Sequence, residues 1–195
     1  TVPANIGPIS QIDAGDGFTM ALRTDGTVVC WGDNTDGQCT VPANLVAVSQ
    51  IAAGSHFAVA RTSGGTVAGW GKSDLGQIAT PAVLQASPIV EVDIGVAHTI
   101  ARRQNGAVFC IGLNSSGQCN VPADVGSGQG SGSGSGISPA IQVAAGASHS
   151  AARKADGTVV CWGLNGHGQC SVPAGLGACI DVSPGSTHTA AVKSD

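Results

Sequence analysis

Residues 145–169 read AGASHSAARKADGTVVCWGLNGHGQ, and this stretch decides the fold. It holds two short apolar runs separated by Asp156-Gly157, a pair that favours the tight turn of a β-hairpin. A second turn signal follows Trp162-Gly163, and no window of twelve residues carries the 3.6-residue period of a helix. The stretch recurs along the chain. A glycine closes a short apolar run at Gly15, Gly54, Gly95, Gly146 and Gly185, and six residues later stands Ala21, Ala60, Ala101, Ala152 or Ala191. Trp-Gly recurs at Trp31, Trp70 and Trp162, with Ile111-Gly112 in the third copy, and Gly-Gln recurs at Gly37, Gly76, Gly117 and Gly168. Val-Pro-Ala begins at Val2, Val41, Val121 and Val172, with Thr80-Pro81-Ala82 as a variant.

A period near forty residues holding several short strands is the signature of a propeller blade. The expected fold is therefore all-β, a β-propeller of about five four-stranded blades forming one domain over residues 1–195. The repeats run 1–39, 40–78, 79–119, 120–170 and, partially, 171–195. The predicted strands resemble Gln50–Ala53, Phe57–Arg61 and Thr27–Trp31, with a fourth, outer strand around Thr40-Val41-Pro42, where proline suits a sheet edge. The tryptophans are expected to wedge between neighbouring blades. The fourth repeat is lengthened by a Gly/Ser-rich insertion at 126–136, which reads as flexible coil, either a natural low-complexity loop or an artificial linker.

The pattern Gly-x-x-His-Thr-x-Ala followed by Asp-Gly-Thr-Val-x-x-Trp-Gly-x-Asn-x-x-Gly-Gln, fitted best by Ala145 through Gln169, resembles the regulator-of-chromosome-condensation repeat. The charge-poor spacing with Val-Pro-Ala is closer to secreted bacterial members, the propeller-type β-lactamase inhibitor protein among them. The resemblance covers nearly the whole chain. It implies the propeller fold strongly and function weakly, because propellers host unrelated activities.

Charged residues make up 10% of the chain and the net charge is −4, spread along the sequence. That pattern lacks the clustered Lys and Arg of a nucleic-acid footprint. No apolar run approaches the roughly 20 residues of a membrane-spanning helix.

Six of the seven cysteines form three pairs nine positions apart: Cys30–Cys39, Cys110–Cys119 and Cys161–Cys170. Both positions change together in the second repeat, to Gly69 and Ile78. Facing positions across a hairpin suit the short reach of a disulfide, and three disulfides are expected. Zinc is the rival reading, although ligand pairs usually stand two to four residues apart and meet in fours. Disulfides imply a secreted, extracellular or cell-surface setting. Cys179 is left over, as a buried thiol or as half of an intermolecular bridge.

Candidate chemistry is sparse. His98, His149 and His188 share one repeat position with Phe18 and Phe57, which favours a structural ring over a metal ligand. His56 and His167 fall outside that column. Asp33, Asn34 and Asp36 depart from calcium-loop spacing. Arg23, Arg103, Lys154 and Lys193 recur as a solvated rim or a weak basic ring. Asn114-Ser115-Ser116 is an N-glycosylation sequon. No catalytic residues, cofactor or metal are expected, and the chain is read as a non-enzyme.

The last copy stops at Asp195, where the others continue into a third strand. Three explanations stand: a longer chain, a strand from a neighbouring subunit, or a tolerated gap. An open sheet edge there is expected to receive a protein partner or a neighbouring subunit. The leading function is a non-catalytic extracellular scaffold or protein-interaction propeller, standing alone or as a repeating subunit of a larger assembly or filament. The alternatives are a lectin, with a glycan as partner, and a secreted protein inhibitor.

Overall fold

The computed structural model describes residues 1–79, 88–126 and 138–195. Among these residues fourteen strands follow one another in five sheets: β1 (Ile9–Ala14), β2 (Phe18–Arg23) and β3 (Val28–Gly32); β4 (Val48–Ala53), β5 (Phe57–Thr62) and β6 (Val67–Gly71); β7 (Ile89–Ile94), β8 (His98–Arg103) and β9 (Val108–Gly112); β10 (Ala140–Ala145), β11 (His149–Lys154) and β12 (Val159–Gly163); β13 (Cys179–Pro184) and β14 (Thr189–Lys193). Each sheet is an antiparallel meander in chain order. This is the all-β propeller architecture, with four three-stranded blades and a two-stranded fifth.

The expected fourth strand of each blade is absent among the described residues. Thr40-Val41-Pro42 and Ser171-Val172-Pro173 are coil. Their donors are spent locally: Val41 N–H bonds to Cys39 O at 3.1 Å and Leu45 N–H to Pro42 O at 3.0 Å. A segment that closes its own turns and carries proline has nothing to offer a ladder. Thr80-Pro81-Ala82 and all of the Gly/Ser insertion except Gly126 lie outside the described residues.

The turn between second and third strands shows why Asp-Gly recurs. Gly26 takes a φ of 82°, open to glycine at little cost. The Asp25 carboxylate accepts from Thr27 N at 2.9 Å and from Thr27 Oγ1 at 2.7 Å. Gly26 O then accepts Val48 N–H of the next blade at 3.1 Å, so the turn also fixes where that blade begins.

Every inner strand carries one register shift against its neighbour, between Ile9 and Gln11, Val48 and Gln50, Ile89 and Glu91, Ala140 and Gln142, and Cys179 and Asp181. Bulges of this kind bend a strand and increase its twist. The core is split into clusters that straddle blade interfaces. Phe18, Met20 and Leu22 meet Ile51, Ala60 and Trp70, while Phe57 and Val59 meet Ile89, Val92 and Phe109. Ile100 and Val108 likewise meet Val143, Ala152 and Trp162. Apolar burial between blades is thus what holds the sheets side by side.

The end blades leave faces open. Ile12 is 65% exposed, although Ile51, Val92, Val143 and Val182 at the same repeat position are 1–3% exposed. At the other end, His188 and Ala190 are exposed where His98, His149 and Val59 are buried.

Candidate functional site

Side chains cross from blade to blade along the inner strands. Gln11 Nε2 donates to Ile51 O at 2.8 Å, and its Oε1 accepts Ile51 N–H at 2.9 Å. Gln50 makes the same pair of bonds with Val92, at 2.8 and 3.1 Å, and Gln142 with Val182, at 3.2 and 3.3 Å. Asp13 and Asp93 accept from Ala53 N and Ala145 N, each at 2.8 Å. These side chains satisfy inner-strand backbone groups whose ladder partners lie on one side only. They escaped the sequence reading, although a column of Gln11, Gln50, Glu91, Gln142 and Asp181 stands there in register.

The acidic members line a central channel of about 360 Å³. Burial pushes the Asp93 carboxyl up to about 6. Backbone N–H bonds from Ala145 and Ile94 oppose that rise, and the charges of Asp13 and Glu91 add to it. Glu91 is itself paired with Arg102 at 2.8 Å. Among the described residues no group of three or more His, Cys, Asp or Glu side chains is arranged to hold a metal.

The histidine column forms a second set of links. Ser150 Oγ donates to Gln118 O at 2.9 Å, which leaves the hydroxyl to accept from His98 Nε2 at 3.0 Å. Thr189 Oγ1 likewise donates to Gln169 O at 2.8 Å and accepts from His149 Nε2 at 2.8 Å. The protons therefore sit on Nε2, since a carbonyl can only accept. Burial pushes His98 down to about 4, with a further push from His149. Burial also lowers His149, with His188 adding to it. Each ring lies over its marker glycine: a Cβ on Gly146 would stand 2.6 Å from both His149 Nδ1 and Gly185 O. Phe18 and Phe57 sit over Gly15 and Gly54 in the same way, which is why the column interchanges His with Phe.

The third set is the tryptophans. Trp70 Nε1 donates to Gln38 O and Trp162 Nε1 to Gln118 O, each at 2.9 Å and each onto the preceding blade. Both indoles are buried, at 6% and 7% exposure. Trp31, in the first blade, is only half-buried. The Gly-Gln landmark belongs to the same device. Gln38, Gln77, Gln118 and Gln169 are buried, and each Oε1 closes its own loop by accepting the N–H two residues earlier at 2.9 Å.

Beside the fifth blade lies a cavity of about 280 Å³ whose walls include Val159, Val172, Leu176, Gln169, Thr189 and Ala191. Next to it, β14 pairs with β13, and among the described residues no strand pairs with its other edge.

The structure joins Cys30 to Cys39 and Cys110 to Cys119, with Cα atoms 5.0 and 4.9 Å apart. The structure leaves Cys161 and Cys170 unjoined, and in that state burial raises both thiols, Cys161 to about 11 with a further contribution from Cys170. Cys179 is a buried thiol on β13. In the second blade a Cβ on Gly69 would lie 2.7 Å from Ile78 Cβ, so the isoleucine occupies the space that the disulfide fills elsewhere.

The remaining candidates are tied into local structure. Asn114 Oδ1 accepts Cys119 N–H at 2.8 Å and its Nδ2 donates to Asn120 Oδ1 at 2.8 Å, on an exposed loop. Asp33 accepts from Thr35 and Gln38, and the Thr35 hydroxyl above all holds it below the usual carboxylate range. His56 stands 3.4 Å from Asp36 on the surface. In the basic column, Arg23 donates to Ile6 O, Arg103 stacks on Phe109 at 4.5 Å, and Lys154 pairs with Asp124 at 3.1 Å. Among the described residues no helix is long and apolar enough to cross a membrane.

The repeat family described as regulator of chromosome condensation (RCC1) matches residues 9–38, 48–77, 89–118 and 140–169. None of the curated proteins matches the chain in sequence. Among solved structures, human WBSCR16 is 18% identical with a TM-score of 0.78, over 100% of this chain and 60% of that one. The ectodomain of the Physcomitrella patens receptor kinase CR4 is 21% identical with a TM-score of 0.74, over 97% of this chain and 52% of that one. Prp20p from Saccharomyces cerevisiae is 18% identical with a TM-score of 0.71, over 96% of this chain and 56% of that one. The chain thus spans about half to three-fifths of the length of these proteins, and the likeness is one of fold.

Proposed function

The chain belongs to the regulator of chromosome condensation (RCC1) repeat family, and from that premise we propose that it is a non-catalytic protein-interaction scaffold working outside the reducing cytosol. The observation that carries this reading is the free edge of β14 beside a walled cavity. An exposed ladder of backbone groups is a template for another strand, and side-chain pockets next to it supply selectivity. Prp20p, studied for its binding to Gsp1p and histones, has this fold, so the architecture is compatible with protein partners.

The extracellular setting rests on cysteine usage, and a propeller in the ectodomain of CR4 is compatible with it. We take Cys161 and Cys170 to form a third disulfide, because they hold the same two repeat positions as the joined pairs. Peptide mapping without reductant should recover all three pairs and leave Cys179 as a thiol. Asn114 is the acceptor if the chain is glycosylated. A glycan there would compete with the bond to Asn120 and leave Oδ1 on Cys119.

The test is affinity capture from a secreted-protein fraction, repeated with the β14 edge blocked by fusing a copy of residues 157–163, which carries β12, after Asp195. A partner retained by the parent chain and lost from the fusion supports the reading. Retention by both, or binding on a glycan array with no protein partner, overturns it.

A further inference from the structure

The cavity beside β14 has two filled counterparts in the same chain. Between the first and second blades, Val28, Val41, Leu45 and Ala60 pack in one cluster with Trp70. Between the third and fourth, Val108, Val121, Val125 and Ala152 pack in one cluster with Trp162. The same four repeat positions between the fourth and fifth blades are Val159, Val172, Leu176 and Ala191, and all four line the cavity. The polar contact repeats as well. Gln38 O and Gln118 O each accept an indole N–H at 2.9 Å, and Gln169, at the same repeat position, lines this cavity. Gln118 O accepts a hydroxyl and an indole together, so the Thr189 bond to Gln169 O leaves room for a second donor.

The backbone sets the register of what would fit. Trp70 stands opposite Ala58 and Trp162 opposite Ser150. Thr189 on β14 is the equivalent of both, so an indole enters the cavity when its residue pairs with Thr189.

We propose that this cavity is a socket for a tryptophan carried on a polypeptide strand of the Thr-Val-x-x-Trp-Gly type. The strand comes from outside the 195 residues, adds antiparallel to β14, and seats its indole Nε1–H on Gln169 O. The proposal rests on the edge-docking reading above and names the chemistry of the partner. Main-chain bonds along β14 supply affinity, while the indole pocket supplies selection, as in other modes of strand addition. A buried aromatic anchor in a preformed pocket is the usual site of concentrated binding energy.

The probe is a fluorescein-labelled peptide with the sequence of residues 156–164, serine replacing Cys161. It is titrated into the full chain by fluorescence anisotropy, with hydrogen exchange of residues 189–193 read in parallel. The expected result is saturable binding with protection of those amides, at least tenfold weaker for the peptide with alanine in place of tryptophan. Ala191→Leu, which fills the cavity from a half-exposed position, should weaken the tryptophan peptide at least tenfold while circular dichroism stays unchanged. Equal binding of the two peptides, with β14 protected by both, overturns the socket and leaves edge docking standing. If neither peptide protects β14, both ideas fall. Concentration-dependent self-association abolished by Ala191→Leu would make a second copy the occupant and overturn the proposal.

Discussion

His98 and Ser150, fifty-two residues apart in the chain, meet at 3.0 Å across a blade interface, the imidazole donating to a hydroxyl that donates onward to Gln118 O. The link needs a proton on Nε2, and burial keeps the ring neutral. A second proton would place a charge in a fully buried site over Gly95.

That requirement makes stability depend on pH. His98 titrates near 4 in the folded chain against 6.5 ordinarily. The unfolded chain therefore takes up the proton first, and the His98 contribution is complete above pH 6.5 and lost as pH falls toward 4, by roughly 3 kcal/mol. Asp93 has the opposite sign. Its folded value of about 6 lies above the ordinary 3.8, so the folded chain takes up that proton first and gains roughly 3 kcal/mol between pH 6 and 3.8. The two oppose each other over nearly the same window. Urea midpoints at pH 7, 5.5 and 4 should separate them. His98→Phe, which copies the first two blades, should gain on the parent as pH falls, and Asp93→Asn should lose on it. Parallel curves for all three proteins would mean that neither group is shifted.

The marker glycines give a second prediction. A Cβ on Gly146 would stand 2.6 Å from Gly185 O, a backbone atom of the next blade, so relief requires the blades to part. Gly166 has no atom within 4 Å of the same construction. Gly146→Ala should cost about 3 kcal/mol and Gly166→Ala less than about 0.5 kcal/mol, as read by urea denaturation.

The repeat period and the Asp-Gly hairpins were legible because each is a local signal: the recurrence stands in the residues themselves, and a turn demands φ > 0 at Gly26. What the sequence hid was the contact between repeats. Gln11, Gln50 and Gln142 look like ordinary surface glutamines, and only the placement of inner strands side by side shows each one spanning to its neighbour's backbone. The fourth strand was misjudged for a related reason. Val-Pro-Ala has strand composition on one side of its proline, but Val41 and Leu45 spend their N–H groups on local turns. The cavity by β14 was beyond reach altogether, since its walls come from β12, β14 and the coil between them.

The second blade allows the cysteine logic to be run backwards. Ile78 fills the space above Gly69, so Gly69→Cys alone forces two side chains into one site and should destabilise by about 1–3 kcal/mol. Replacing Ile78 with cysteine as well removes the conflict and supplies the partner. The double variant should recover the parent Tm or exceed it under oxidising conditions, by up to roughly 2–3 kcal/mol, and fall below it with reductant. A double variant whose Tm ignores reductant would show that this hairpin differs from the first and third.

The three tryptophans separate what a neighbouring blade contributes from what the indole contributes within its own sheet. All three stand at the same strand position, opposite Thr19, Ala58 and Ser150. Trp70 and Trp162 also bury against a preceding blade and bond to its glutamine carbonyl, whereas Trp31 remains half-buried. Trp70→Ala and Trp162→Ala each delete a filled pocket and should cost about 3–5 kcal/mol. Trp31→Ala removes the same side chain without opening an interface, and should cost about 1–2 kcal/mol by the smaller area it takes from water. Phenylalanine at position 70 keeps most of the apolar contact and loses the bond to Gln38 O, a difference of about 1 kcal/mol beyond the change in size. Equal losses at 31 and 70, measured by denaturant unfolding, would mean that the indoles stabilise single sheets and that the blades are held together by the inner-strand glutamines instead.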